Sequence, residues 1–186
     1  NVEFITSEFL EKWQSVLSSP YLKKLAEDYN AEIIFYPHAY IQPYIEYFNL
    51  PDHIKILNHV DGSMQQLFIN ASILVTDYSS VAFEMAVQKK PVIYYQFDEE
   101  SFFTGDHNYV KGYFDYRKHG FGPVVKDQSE FFNELKNQLD TSCQPSPEIL
   151  KNMNEAFPFQ DGNNCERTYQ AISSLDSPRD PNFLNI

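Results

Sequence analysis

Cysteine is scarce: the 186 residues hold only Cys143 and Cys165, without CxxC spacing. That is too few for a disulfide framework or a cysteine zinc site, and a reducing compartment is the default expectation. Glycine is scarce too, with six in the chain, and neither GxGxxG nor GxxxxGK[ST] occurs. A dinucleotide fingerprint and a P-loop are thereby excluded. GxSxG and HExxH are absent, and the histidines (38, 53, 59, 107 and 119) never pair at metal-ligand spacing, so no metal site is expected. Positive charge is in deficit, 14 Lys and Arg against 26 Asp and Glu, for a net charge of −12 without a basic cluster. Nucleic-acid grooves draw their affinity from neutralised phosphates, so this balance argues against one. No apolar run approaches the roughly 20 residues that span a bilayer, and no signal-peptide pattern is visible. The chain begins Asn1-Val2 without an initiator methionine, which leads us to expect an excised fragment.

Aromatic residues are plentiful, with 13 Tyr and 16 Phe. The length suits one well-buried domain or half of a two-domain protein. β-Favouring apolar runs at 32–36, 54–57, 73–76, 92–95 and 124–125 alternate with helical periodicities. Helices are expected over Phe4–Leu17 with Ser7 as a cap, Tyr21–Tyr29, Tyr40–Asn49, Met64–Asn70 capped by Ser63, Ser129–Leu139, Pro147–Ala156 and Asn163–Leu175. Such alternation means an α/β fold with a mostly parallel sheet flanked by helices. Asp98 to Pro123 reads as a long aromatic loop holding four of the six glycines, and loops of that length are usually functional. We expect one Rossmann-like domain over 1–176, its C-terminal helices at about 147–176, with 177–186 as a tail.

The stretch from Ile73 to Tyr95 organises the rest. Ile73-Leu74-Val75 reads as a buried strand, Thr76-Asp77-Tyr78-Ser79-Ser80 as a turn, Val81 onward as a helix stopped by Pro91, and Val92 to Tyr95 as a second strand. A strand–helix–strand unit within one sheet is a right-handed parallel crossover. Ligands collect beyond the carboxyl ends of such strands, where open N–H groups at a helix start attract anions. Ser79 and Ser80 add two hydroxyls there, and Glu84, one turn on, is placed to accept bonds from sugar hydroxyls. That pattern suits a nucleotide, with phosphates at the serines and ribose at Glu84. On spacing alone an N-cap pair and a solvated glutamate is the favoured reading.

Ile73 to Asp98 (ILVTDYSSVAFEMAVQKKPVIYYQFD) resembles the signature of the CDP-glycerol glycerophosphotransferases, enzymes of teichoic-acid and related capsule synthesis. Supporting pieces follow in the expected order: Tyr36-Pro37-His38, Gly112 to Tyr116, Gly120 to Val124, and Asn164 to Tyr169. The likeness runs from about Glu32 to Leu175. It implies the C-terminal, donor-binding half of a GT-B type glycosyltransferase fold. The implied reaction is attack of an acceptor hydroxyl on the β-phosphorus of CDP-glycerol or another CDP-polyol, releasing CMP, with polyol phosphate passed to a teichoic-acid or capsule-type polymer.

Carried over by motif, Ser79 and Ser80 hold the donor phosphates, Glu84 the ribose, and His38 is the catalytic residue. Asp77 fixes the turn. By position, His107 is a candidate contact to the polyol phosphate or a solvated loop histidine, and His59 with Val60, after a strand end, offers backbone groups to cytosine or forms an ordinary turn. No tightly bound cofactor is implied; Mg²⁺ alongside the donor phosphates is left open. Expected partners are the CDP-polyol and, through the other half of the protein, a lipid-linked or glycan acceptor. The location implied is cytoplasmic, peripheral at the inner face of a bacterial membrane. The chain departs from the family by carrying Tyr36 where a lysine is usual and Ala39 where a proline is usual, which removes one cationic contact. The isolated chain is expected to bind donor weakly without turnover. Two other readings compete: half of a UDP-sugar glycosyltransferase or epimerase, and a non-catalytic nucleotide-binding module.

Overall fold

The computed structural model describes residues 2–58, 62–103 and 112–175. In chain order the elements are α1 (Val2–Ile5), α2 (Glu8–Leu17), α3 (Pro20–Asp28), β1 (Ile33–Phe35), a 3-10 helix (Gln42–Tyr47), β2 (Ile54–Ile56), α4 (Met64–Asn70), β3 (Leu74–Thr76), α5 (Ala82–Ala86), β4 (Val92–Tyr95), α6 (Glu99–Phe102), β5 (Val124–Val125), α7 (Gln128–Asp140), α8 (Pro147–Ala156) and α9 (Asn164–Leu175). Their starts follow local chemistry. Ser7 Oγ accepts from the Leu10 N–H, Asp127 Oδ1 from Glu130 N–H and Ser146 Oγ from Ile149 N–H, each satisfying a donor that the helix leaves open. Ser63 sits at the start of α4 without a side-chain cap bond.

All paired strands are parallel. β1 lies beside β2, with Ile33 opposite Ile54, and β3, β4 and β5 form a second ladder, with Leu74 opposite Val92 and Tyr94 opposite Val124. The α/β class and the parallel sense agree with the sequence pattern; the division into two ladders is an additional finding. β1 and β3 are not hydrogen-bonded, and between them runs a cleft of about 1980 Å³ whose walls include Ile33, Phe35, Leu74 and Val75. Side chains rather than backbone bonds join the ladders. One core cluster combines Ile54 with Ile93, Tyr95, Val125, Phe131, Val16 and Leu25. β4 is buried at all four positions, as an uninterrupted apolar run in a central strand requires.

The 40–49 segment is a 3-10 turn rather than the expected α-helix. Phe48 turns extended immediately after it and is buried, its ring 5.1 Å from Phe35. That packing ends the helix early. α5 is also shorter than its periodicity suggests, because Lys89 adopts a left-handed conformation (φ 58°), with Lys89 N–H bonded to Ala86 O and Lys90 N–H to Met85 O. This is a Schellman stop with lysine in the place where glycine is usual. Lys90 serves a different helix from the one its position suggests: Nζ donates to the carbonyls of Phe68 and Ile69 at the end of α4.

A second core cluster lies on the other side of β4, where Phe121, Met85, Met153, Val92 and Tyr94 meet. Phe121 enters it between two glycines packed hard on backbone. A Cβ at Gly122 would overlap the Val92 carbonyl, and one at Gly120 the Tyr116 carbonyl. α8 secures the same segment, with Asn152 Nδ2 donating to Lys118 O and Gly120 O at 2.9 Å each. This fixes the path that brings Tyr116 back to the turn after β3.

Candidate functional site

The turn after β3 is held from three directions. Asp77 Oδ1 accepts from the Tyr78 N–H at 2.6 Å. Gln96, one residue beyond β4, donates Nε2–H to the Asp77 carbonyl at 3.1 Å. Tyr116 donates its hydroxyl to the Tyr78 carbonyl at 3.0 Å. The Tyr78 ring lies flat on Phe102, with centroids 3.6 Å apart, and meets Phe103 and Tyr116 edge-on. Its hydroxyl donates to Asp98 Oδ1 at 2.9 Å. Burial, reinforced by the Asp98 bond, pushes this phenol well above its ordinary range, so it remains a donor.

With the carbonyls of Asp77 and Tyr78 occupied, the next two residues are left open. Ser79 accepts at Oγ from the Val81 N–H and at its carbonyl from the Ala82 N–H, and the Ser80 carbonyl accepts from the Phe83 N–H. Among the described residues, neither the Ser79 N–H nor the Ser80 N–H meets an acceptor, and the exposed Ser80 hydroxyl has no partner. Two free amides and a hydroxyl in succession are the kind of donor set that attracts an anion. α5 has only five residues, so its macrodipole adds little.

His38 stands just past β1, exposed on the same cleft. Its Nδ1 accepts from the Tyr40 N–H at 3.3 Å, which places the proton of the neutral ring on Nε2 and makes that atom a donor. The structure therefore places His38, Asp77, Ser79 and Ser80 among the residues that line one cleft. Glu84 is exposed on α5, without a side-chain partner among the described residues, and is not part of that lining. His59, Val60 and His107 lie outside the described residues. Asp115 organises its own loop, accepting at Oδ1 from the N–H groups of Arg117 and Lys118. No group of three or more His, Cys, Asp or Glu among the described residues is arranged to hold a metal ion.

Beside the turn, Glu99 receives two bonds from Arg117, at 2.7 and 2.9 Å, and lies 3.0 Å from Lys126. The Arg117 bonds, more than the Lys126 contact, hold its carboxyl down at about 2. This fixes α6, and with it the Phe102 ring under Tyr78. Sequence reasoning missed Tyr78, Gln96, Tyr116 and the Glu99–Arg117 pair. Two local signals were available, the position of Tyr78 inside the capping run and that of Gln96 directly after a buried strand.

Over residues 7–174 the chain matches the model of a family described as CDP-Glycerol:Poly(glycerophosphate) glycerophosphotransferase. It is 33% identical over 177 residues to the minor teichoic acid biosynthesis protein GgaB of Bacillus subtilis (strain 168), covering 95% of this chain and 19% of that protein. With a teichoic acid glycerol-phosphate transferase of Staphylococcus aureus it shares 32% identity over 123 residues, covering 65% of this chain and 30% of that one. The chain thus spans less than a third of either curated relative. Its fold is similar to that of the wall teichoic acid polymerase TagF, with a TM-score of 0.56 and 20% identity over 83% of this chain and 37% of that one.

Proposed function

Because this chain belongs to the CDP-glycerol:poly(glycerophosphate) glycerophosphotransferase family, we propose that it is the donor-binding part of a longer enzyme that transfers polyol phosphate from a CDP-polyol to an acceptor hydroxyl, releasing CMP. The observation that carries the reading is the convergence of His38 with the open amides of Ser79 and Ser80 on one cleft. The donor pyrophosphate takes the Ser79 N–H, the Ser80 N–H and the Ser80 hydroxyl, which are neutral donors suited to an anion that gains charge as the P–O bond breaks. His38 presents Nε2–H to the leaving phosphate or carries the proton. Glu84 accepts from the ribose hydroxyls where the nucleotide extends out over α5. Asp77 stays turned toward the Tyr78 amide, away from the phosphates it would repel. The donor needs no tightly bound cofactor in this reading, and a chelator arm reads any Mg²⁺ requirement.

The acceptor, lipid-linked or glycan, is met by the rest of the longer protein, which also supplies the base for its hydroxyl. Peripheral contact with the inner face of a membrane would come through that part. Among the described residues no helix is long and apolar enough to cross a bilayer.

The test is calorimetric titration of this chain with CDP-glycerol, CDP-ribitol, CMP and UDP, repeated with Ser80→Ala and Glu84→Ala. Preferential cytidine-nucleotide binding, weakened about 3- to 10-fold by each substitution, supports the reading. Equal binding of UDP, or indifference to both substitutions, overturns it.

A further inference from the structure

We infer that Tyr116 and Gln96 are positioning residues whose role is to aim the Ser79 amide. The inference rests on the donor-binding reading for its ligand, and on geometry alone for its mechanism. Two successive carbonyls of the turn are taken by side chains from distant parts of the chain, Asp77 O by Gln96 and Tyr78 O by Tyr116. No peptide bond among the described residues is cis. In a trans peptide the N–H points opposite to the C=O of the same plane. Drawing the Tyr78 carbonyl toward Tyr116 therefore drives the Ser79 N–H the other way, where no acceptor of the described residues meets it. The preceding plane is fixed at both ends, by Gln96 on its carbonyl and by Asp77 Oδ1 on its N–H.

The arrangement carries a cost. Gln96 is fully buried, and its Oε1 has no hydrogen-bond partner among the described residues. An orphaned buried acceptor is unfavourable, and methionine would fill a similar volume without the penalty. What methionine cannot supply is the Nε2–H bond to Asp77. Tyr116 likewise packs in the aromatic cluster with Tyr94 and Phe114, contacts that phenylalanine would keep. Only its hydroxyl reaches the turn.

The experiment compares Tyr116→Phe and Gln96→Met with wild type, using Tyr113→Phe as a control because that side chain is 92% exposed. Amide ¹H–¹⁵N shifts of Ser79 and Ser80 are read without ligand, and affinities are then measured for CDP-glycerol and for cytidine. In each of the two variants we expect the Ser79 amide to move and CDP-glycerol affinity to fall about 5-fold, the worth of one hydrogen bond, with cytidine affinity within 2-fold of wild type. Tyr113→Phe should change neither. An unmoved Ser79 amide, or parallel losses of CDP-glycerol and cytidine, would overturn the inference. If wild type bound neither ligand, the donor reading would fall, while the amide shifts would still decide whether these side chains aim the turn.

Discussion

The Arg117 guanidinium clasps the Glu99 carboxylate with two bonds, and Glu99 opens the helix that carries Phe102 beneath the Tyr78 ring. An ion pair at the cleft edge is thereby coupled to the turn that presents Ser79 and Ser80.

Acid should loosen this coupling. The Glu99 carboxyl is held at about 2 in the folded chain, against 4.5 for the free group, so its contribution to stability is complete above pH 4.5. It is lost as pH falls from 4.5 towards 2. Because Arg117 and Lys126 are each 48% exposed, screening reduces the nominal value, and we expect about 1–2 kcal/mol. Denaturant titrations at pH 6 and pH 3, with Glu99→Gln alongside, check this. Glu99→Gln should show the smaller difference between the two pH values.

Gly122→Ala should destabilise by about 3 kcal/mol, since the new methyl meets the Val92 carbonyl at the start of the buried central strand and neither backbone can yield. Gly112→Ala is the matched control, with open space around its Cβ and normal φ. A midpoint for Gly122→Ala equal to that of wild type would contradict the packing described.

Lys89→Gly should stabilise. Lys89 occupies a left-handed backbone conformation that costs a residue with a Cβ about 1 kcal/mol, and glycine removes that cost. Part of the gain is returned through the greater freedom of glycine in the unfolded chain, so the net rise should be about 0.5 kcal/mol. Urea midpoints measure it directly.

In the longer enzyme, His38→Ala should lower kcat about 100-fold or more while CDP-glycerol binding to this chain stays within about 3-fold. Calorimetry together with single-turnover kinetics separates the two effects. Loss of binding with an unchanged kcat would make His38 a ligand contact only.

Local chemistry was legible in the sequence. Ser7 caps the helix its position suggests, Pro147 opens its own, and the uninterrupted run Val92 to Tyr95 is the buried central strand. The early end of the 40–49 helix was not, because it depends on Phe48 finding Phe35 thirteen positions earlier in the chain. Nor was the service Lys90 gives to α4, since the nearer helix end explained its charge as well. At the site, the serines stood out through their place in the capping run and through family resemblance. Gln96 and Tyr116 did not, because bonds reaching back 19 and 38 residues to backbone carbonyls leave no spacing to read.

The divided sheet has a mechanical consequence. His38 rides on the first ladder and the two serines on the second, and no backbone hydrogen bond ties one ladder to the other. Apolar packing is not directional, whereas a hydrogen-bonded ladder is stiff along its length. The span from imidazole to serine is therefore the most compliant dimension of the cleft, while each wall keeps its own shape.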